Sequence, residues 1–231
     1  LKIKKAIKIK DNIIISNNHK CFIVAEISAN HSGNLNILKK TMLAAKKAGA
    51  NAVKIQTYEA NTMTLKVKNK HFLINDKSIW KGQQLYNLYK KAETPFKWHK
   101  EIFSFAKKNN IFCFSAPFDL TAVDLLEKLN CPIYKVASPE IEDLQLIEKI
   151  AKTKKPLIIS TGIANKSDIE KAIKIYMNKK CDSVVIVSEA KQHPMKALKI
   201  IGKGNKKSLV GYFDNKGESA TGLPRQIFEK A

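Results

Sequence analysis

Arginine is all but missing from this chain: one residue, Arg225, stands among 42 basic side chains that are otherwise lysine. Specific readers of nucleic acid rely on the flat, bidentate guanidinium fork. The net charge of +22 is therefore poor support for such a role. The lysines are scattered over the whole length, as a coding bias toward Lys, Ile and Asn would leave them. A basic nucleic-acid-binding protein is kept as the lesser alternative, and an anionic small-molecule partner is compatible with the charge. Cysteine is scarce too. Cys21, Cys113, Cys131 and Cys181 form no CxxC or other metal-ligand spacing. Three of them lie in or beside apolar runs, where a thiol packs as a small hydrophobe, so reduced core thiols are expected. No apolar run reaches the roughly 18 residues of a membrane-spanning helix. Leu1–Lys10 is basic but lacks the apolar core and cleavage site of a secretory signal. The expected location is cytoplasmic, with neither membrane nor nucleic acid as a partner.

What the sequence does have is alternation. Apolar, β-branched runs recur at 22–28, 52–58, 111–118, 133–138, 157–162, 183–188 and 208–214. They read as parallel strands, which are buried on both faces. Amphipathic stretches at 35–48, 96–109, 121–129, 144–152 and 167–179 separate most of them. Gly49 marks the end of the first, and Thr121 and Ser167 are the expected N-caps of two others. Such repetition implies an α/β fold with helices covering a parallel sheet. Ile7–Ile9 and Ile13–Ile15 read as a hairpin, and residues 1–20 are expected to cap a barrel formed by residues 21–231. The connection 59–95 is long for a βα loop, and long ordered loops tend to carry function. The pattern suits a TIM-type (β/α)8 barrel, which usually takes about 250 residues, here expected to lack its last unit. An open doubly wound sheet is the alternative.

The strand ends favour the barrel, because barrel enzymes carry their reactive groups there. The first run closes on Glu26, followed by Asn30 and His31. The second carries Lys54, Gln56 and Tyr58, and the third ends in Ser115-Ala-Pro-Phe-Asp119. The fourth carries Lys135 and Ser138, then Glu140, and the fifth ends in Ser160-Thr-Gly162. A lysine inside an apolar strand needs a negative partner, since burying an unpaired ammonium is expensive. Two of them suit a strongly anionic guest such as a phosphate joined to a carboxylate, with Ser138, Ser160 and the amides of Thr161-Gly162 completing a cradle. The plainer reading pairs each lysine with Glu26 or Glu140 in an ion-pair network. Trp98 and His99 lie on a helical pattern and are expected to pack.

The motifs Phe22-Ile-Val-Ala-Glu-Ile-Ser-Ala-Asn-His31 and Ala48-Gly-Ala-Asn-Ala-Val-Lys-Ile-Gln-Thr-Tyr58 resemble the opening signature of the sialic acid synthase family. The Ser-Ala-Asn-His and Gln-Thr-Tyr forms are similar to its pseudaminic acid branch. Leu88-Tyr-Lys-Lys-Ala-Glu-Thr-Pro-Phe-Lys-Trp-His99, Cys113-Phe-Ser-Ala-Pro-Phe-Asp119, Tyr134-Lys-Val-Ala-Ser138 and Ile159-Ser-Thr-Gly-Ile-Ala164 continue it in order. The resemblance implies condensation of phosphoenolpyruvate with an N-acetylated amino sugar to a nine-carbon 2-keto acid. It implies that Lys54, Lys135, Ser138 and Ser160 bind phosphoenolpyruvate and that Glu26 is catalytic. Gln56 and Glu140 would meet the sugar, with Asn30, His31 and Tyr58 lining that side.

Beyond Val187 the likeness decays. Val187-Ser-Glu-Ala-Lys-Gln-His-Pro194 stands where the family has a Cys-Thr-Ser-x-Tyr-Pro-like segment, and Gly211-Tyr-Phe-Asp-Asn215 puts Asn215 in place of a metal-binding histidine. The second family histidine, in a Glu-Lys-His motif, and the C-terminal antifreeze-like domain are not found. The resemblance implies a divalent cation, Mn2+ or Mg2+, yet its histidine ligands are missing and no metal residue is assigned. His193 is a weak substitute, and asparagine a poor one. An inactive or truncated remnant that keeps an anion-binding barrel is therefore the alternative to an active synthase. The family's habit implies a possible homodimer.

Overall fold

The computed structural model describes residues 6–10, 13–16, 19, 22–75, 79–179, 181 and 183–187. In chain order the strands are β1 (Ala6–Lys10), β2 (Ile13–Ser16), β3 (Val24–Glu26), β4 (Ala52–Thr57), β5 (Phe112–Pro117), β6 (Tyr134–Val136), β7 (Leu157–Ser160) and β8 (Val184–Val187). The helices are α1 (Leu35–Lys47), α2 (Ala60–Met63), α3 (Leu85–Ala92), α4 (Phe96–Lys108), α5 (Leu120–Lys128), α6 (Leu144–Lys152) and α7 (Lys166–Asn178). Short 3-10 turns occupy Lys70–Phe72 and Pro139–Glu142. The run at 208–214, His193 and Asn215 lie outside the described residues, as does Cys21.

The chain divides into two compact units, one of residues 27–131 and one of residues 1–26 with 132–231. In the first, β4 and β5 run parallel, with Lys54 opposite Phe114 and Gln56 opposite Ala116. Parallel partners point to the same face of the sheet, and neighbours along a strand alternate. α4 buries His99, Ile102 and Ala106, which recur at helical spacing, and α1 buries Leu38 and Met42 in the same way. Gly49 ends α1 at φ +94, a left-handed conformation that glycine adopts without penalty. Its amide meets the carbonyl of Lys46 at 3.0 Å. The long connection at 59–95 has structure of its own: α2, a 3-10 turn, an antiparallel bridge between Leu73 and Gln84, and α3.

In the second unit β1 and β2 form the expected antiparallel hairpin, with Ile7 opposite Ile15 and both buried. β6, β7 and β8 run parallel, with Lys135 opposite Ile158 and Ser160 opposite Val187. Every residue of β7 is buried, as a strand covered on both faces requires. α6 buries Leu146, Ile147, Ile150 and Ala151 on one face. The hydroxyl of the fully buried Tyr176 on α7 donates to the carbonyl of Lys155 at 2.6 Å, a polar tip satisfied inside an apolar site. Cys113, Cys131 and Cys181 are buried thiols that form no disulfide among the described residues.

Two expected caps are corrected. Asp119, not Thr121, caps α5: its Oδ1 accepts from the Ala122 amide at 2.8 Å, and Thr121 itself donates to that oxygen at 2.6 Å. Asn165, not Ser167, caps α7. Its side chain accepts from the Asp168 amide at 3.1 Å, while the Asp168 carboxylate accepts from the Asn165 amide at 2.9 Å. The reciprocal pair satisfies two amides that a single hydroxyl inside the first turn would leave open. Asn165→Ala should lower the unfolding free energy by about 1 kcal/mol. Ser167→Ala, on the exposed first turn, should change it by less than about 0.5 kcal/mol. Urea denaturation midpoints of the two variants measure the contrast, and equal midpoints would contradict the assigned cap.

Candidate functional site

In the unit of residues 27–131 the β4–β5 register sorts the polar residues by face. Thr57 and Ser115 share one face. The Thr57 hydroxyl lies 2.8 Å from Nε2 of His99 on α4 and 2.6 Å from the Ser115 hydroxyl. α4 therefore covers that face, and Lys54 and Gln56 point to the opposite one. Lys54 is only 4% exposed although it carries an ammonium. Gln56 is half-buried one residue before the end of the strand.

Tyr58 follows β4, buried, with its ring edge-on to Tyr89 at 6.0 Å and to Phe118 at 5.5 Å. Burial pushes its phenol far above the ordinary range, and the neighbouring Tyr89 and Glu93 add to the shift. The phenol is therefore protonated at any physiological pH. The turn after β3 brings its backbone against β4, where the Ile27 amide donates to the Lys54 carbonyl at 2.9 Å. Asn30 sits exposed on that turn. His31 is fully buried. Its Nδ1 accepts from the Gly33 amide at 3.1 Å, its Nε2 lies 3.3 Å from the Thr94 hydroxyl, and its ring meets Trp98 edge-on at 5.5 Å. Burial lowers its pKa, against a weaker opposing bond with the Ala92 backbone, so the ring is neutral at pH 7.

In the unit of residues 1–26 and 132–231, Glu26 is the last residue of β3, and one of its carboxylate oxygens is shielded from solvent. Lys135 is 3% exposed in the middle of β6, and its Nζ donates to the Val136 carbonyl at 3.2 Å. Lys135 pairs with Ile158, two residues before Ser160, so Lys135 and the fully buried Ser160 share a face. Ser138 is buried beyond the end of β6, where its hydroxyl accepts from the Ile163 amide at 2.9 Å and ties the loops after β6 and β7. Glu140 sits in the following 3-10 turn with one carboxylate oxygen shielded from solvent. Each unit thus carries one lysine buried mid-strand and polar groups just beyond its strand ends.

Sequence reasoning overlooked α3, although Leu85, Leu88, Tyr89 and Ala92 repeat at helical spacing, and gave no role to Glu93, Thr94, Thr57 or Ser115. The buried polar residues Thr57 and Ser115 interrupt apolar strands, which was their visible signal. Trp98 and His99 pack on α4, as their pattern implied. Among the described residues no group of three or more His, Cys, Asp or Glu side chains could hold a metal ion. His31 and His99, the buried histidines, are engaged as described above.

The fold is that of an α/β protein of the TIM-type barrel class, with buried lysines and polar groups in and beyond its parallel strands. The model of the NeuB family matches residues 41–201, and the chain belongs to that family. It is 50% identical over 153 residues to the pseudaminic acid synthase of Helicobacter pylori, covering 66% of this chain and 45% of that one. It is 42% identical over 175 residues to the pseudaminic acid synthase of Campylobacter jejuni, covering 76% and 51%. The crystal structure of N-acetylneuraminic acid synthetase from Leptospira borgpetersenii, in complex with citrate, superposes with a TM-score of 0.69 at 30% identity over 86% of this chain and 64% of that one. The chain spans about half the length of the curated relatives it matches.

His99 gives the site region a pH signature. Burial pulls its pKa from 6.5 down to about 4, against bonds to the backbone of Pro95 and Phe96. The unfolded chain binds a proton near pH 6.5 that the folded one refuses until about pH 4, so the stability this group contributes is complete above 6.5 and is lost as pH falls toward 4. The loss is on the order of 3 kcal/mol. Urea titrations across that range should show a slope that flattens in His99→Gln. An unchanged slope would mean that His99 is not the group responsible.

Proposed function

We propose that this chain serves a synthase that condenses phosphoenolpyruvate with an N-acetylated amino sugar to give a nine-carbon 2-keto acid of the pseudaminic type. The observation that carries the reading is a pair of buried strand lysines, Lys54 and Lys135, at 4% and 3% exposure, in a member of the NeuB family. A buried ammonium is stable only where negative charge answers it, and phosphoenolpyruvate carries two anionic groups. The identities of about 40 to 50% with pseudaminic acid synthases support the substrate class.

In this reading Lys54 and Lys135 neutralise phosphate and carboxylate, and the hydroxyls of Ser138 and Ser160 donate to them. C3 of phosphoenolpyruvate attacks the aldehyde carbon of the sugar and the new C–C bond forms. The aldehyde oxygen takes up a proton as a hydroxyl. Water adds at C2, and the C2–O bond to phosphate breaks to leave the keto group. Glu26 manages the proton of that water. Gln56, Glu140, Asn30, His31 and Tyr58 face the sugar, with Tyr58 donating from a phenol that stays protonated. His31, neutral and fully buried in the free protein, stands on that side at the turn after β3.

A divalent cation, Mn2+ or Mg2+, would polarise the aldehyde oxygen. The described residues do not build a site for one, and no step above runs through it. The protein is read as cytoplasmic, acting on small molecules, with a homodimer as its assembly. No described helix is long and apolar enough to cross a membrane.

Calorimetry of phosphoenolpyruvate binding tests the reading, with and without Mn2+. Lys135→Ala and Lys54→Ala should each weaken binding tenfold or more, which corresponds to about 1.4 kcal/mol. Binding that is enhanced by Mn2+ would mark a loaded synthase site. Binding indifferent to Mn2+ would mark a phosphoenolpyruvate-binding protein without the metal-assisted step. Unaltered binding in both variants, or none in the wild type, would overturn the assignment.

A further inference from the structure

The segment Glu93–His99 comprises the link after α3 and the first residues of α4, and most of its side chains reach strand ends. Glu93, 9% exposed, accepts from the Ala60 amide at 3.0 Å through Oε2, while its Oε1 meets Nζ of Lys90 at 2.6 Å. The bond to Ala60 fixes the chain where it leaves β4, two residues beyond Tyr58. Thr94, 1% exposed, meets Nε2 of His31 on the turn after β3, and Trp98 lies edge-on to the same ring. His99, with no exposure, meets the hydroxyl of Thr57, the last residue of β4. Its Nδ1 lies 3.1 Å from the Pro95 carbonyl, which can only accept, so Nδ1 carries a proton.

Burying three polar side chains, Glu93, Thr94 and His99, around one turn is costly unless each is bonded. Apolar residues would cover β4 and β5 equally well. What directional bonds add is a fixed geometry, because each has a preferred length and angle and a mismatch leaves a buried group unsatisfied. The bonds that leave the segment toward strand ends reach His31 itself, Thr57 between Gln56 and Tyr58, and Ala60 two residues beyond Tyr58. None ends on Lys54, which lies inside the β4–β5 ladder, with paired residues on either side of it.

We propose that Glu93, Thr94 and His99 are positioning residues that set the sugar-side turn ends and so determine affinity for the amino sugar without determining affinity for phosphoenolpyruvate. This rests on the reading that Gln56, Tyr58 and the turn of His31 face the sugar. The residues act through Thr57, Ala60 and His31 and touch no substrate themselves. A site held to within about 0.5 Å by such a supporting shell loses affinity when the shell is loosened.

The experiment compares Thr94→Val, His99→Phe and His99→Gln with the wild-type protein by calorimetry. Phosphoenolpyruvate is one probe, and a panel of N-acetylated 2-amino and 2,4-diamino hexoses, added to the phosphoenolpyruvate-loaded protein, is the other. Thr94→Val and His99→Phe should weaken the sugar that binds by tenfold or more and leave phosphoenolpyruvate within twofold. His99→Gln, which can still hydrogen-bond Thr57, should recover most of the loss. Equal weakening of both ligands, or of neither, overturns the proposal. Amide hydrogen exchange on the free protein separates its failure from that of the functional reading, even if no sugar binds. In Thr94→Val and His99→Phe the amides of residues 28–34 and 58–62 should exchange at least tenfold faster while those of 53–55 and 113–115 stay protected. Uniform acceleration, or none, sinks the positioning role whatever the substrate is.

Discussion

A lysine ammonium held inside an apolar strand sets the terms for this molecule. Taking such a charge out of water is costly unless negative charge answers it, and Lys54 and Lys135 stand at 4% and 3% exposure. The strands themselves supply none: β4 and β6 are otherwise built from apolar, polar-uncharged and aromatic residues. Beyond the strand ends the chain can place polar groups without breaking the ladder hydrogen bonds. Glu26, Ser138, Glu140 and Ser160 all lie at or just past the last residue of a strand.

The same arrangement makes loop geometry matter more than strand geometry. Parallel strands fix their own register through the ladder and through burial on both faces. The turns that follow have no such constraint and are held by individual side-chain bonds. Ser138 accepts the Ile163 amide in one unit, and Glu93 accepts the Ala60 amide in the other. In each case a buried side-chain oxygen captures a backbone donor just past a strand end, where the regular pattern leaves it open. The long connection at 59–95 is part of this logic. It folds back through α3 so that Glu93, Thr94 and Trp98 reach turns on either side of β4.

Much of this was legible beforehand because it is local. The period of apolar residues located α6 to the residue, and the near-continuous apolar runs located β4, β5 and β7 to within one or two. Lys54 and Lys135 announced themselves by standing inside such runs. The cap assignments failed for a local reason too: Ser, Thr, Asn and Asp are all competent caps, and Asp119 and Asn165 lie two residues before the residues chosen. Only the backbone path, extended at both Asp119 and Asn165, decides which one reaches the open amides.

The sequence by itself determined the alternation of strands and helices, the residues buried in them and the placing of two lysines inside buried strands. These follow from periodicity, which does not depend on distant neighbours. Tertiary structure alone decided which partners His31 and His99 bond and that Thr57 faces α4 while Lys54 and Gln56 face away. It also gave Thr94 its partner. The Thr57–His99 and Thr94–His31 bonds join residues 42 and 63 positions apart. A hydrogen bond is satisfied or lost over a few tenths of an ångström, and that distance is set by how helix and strand pack, which no local pattern records.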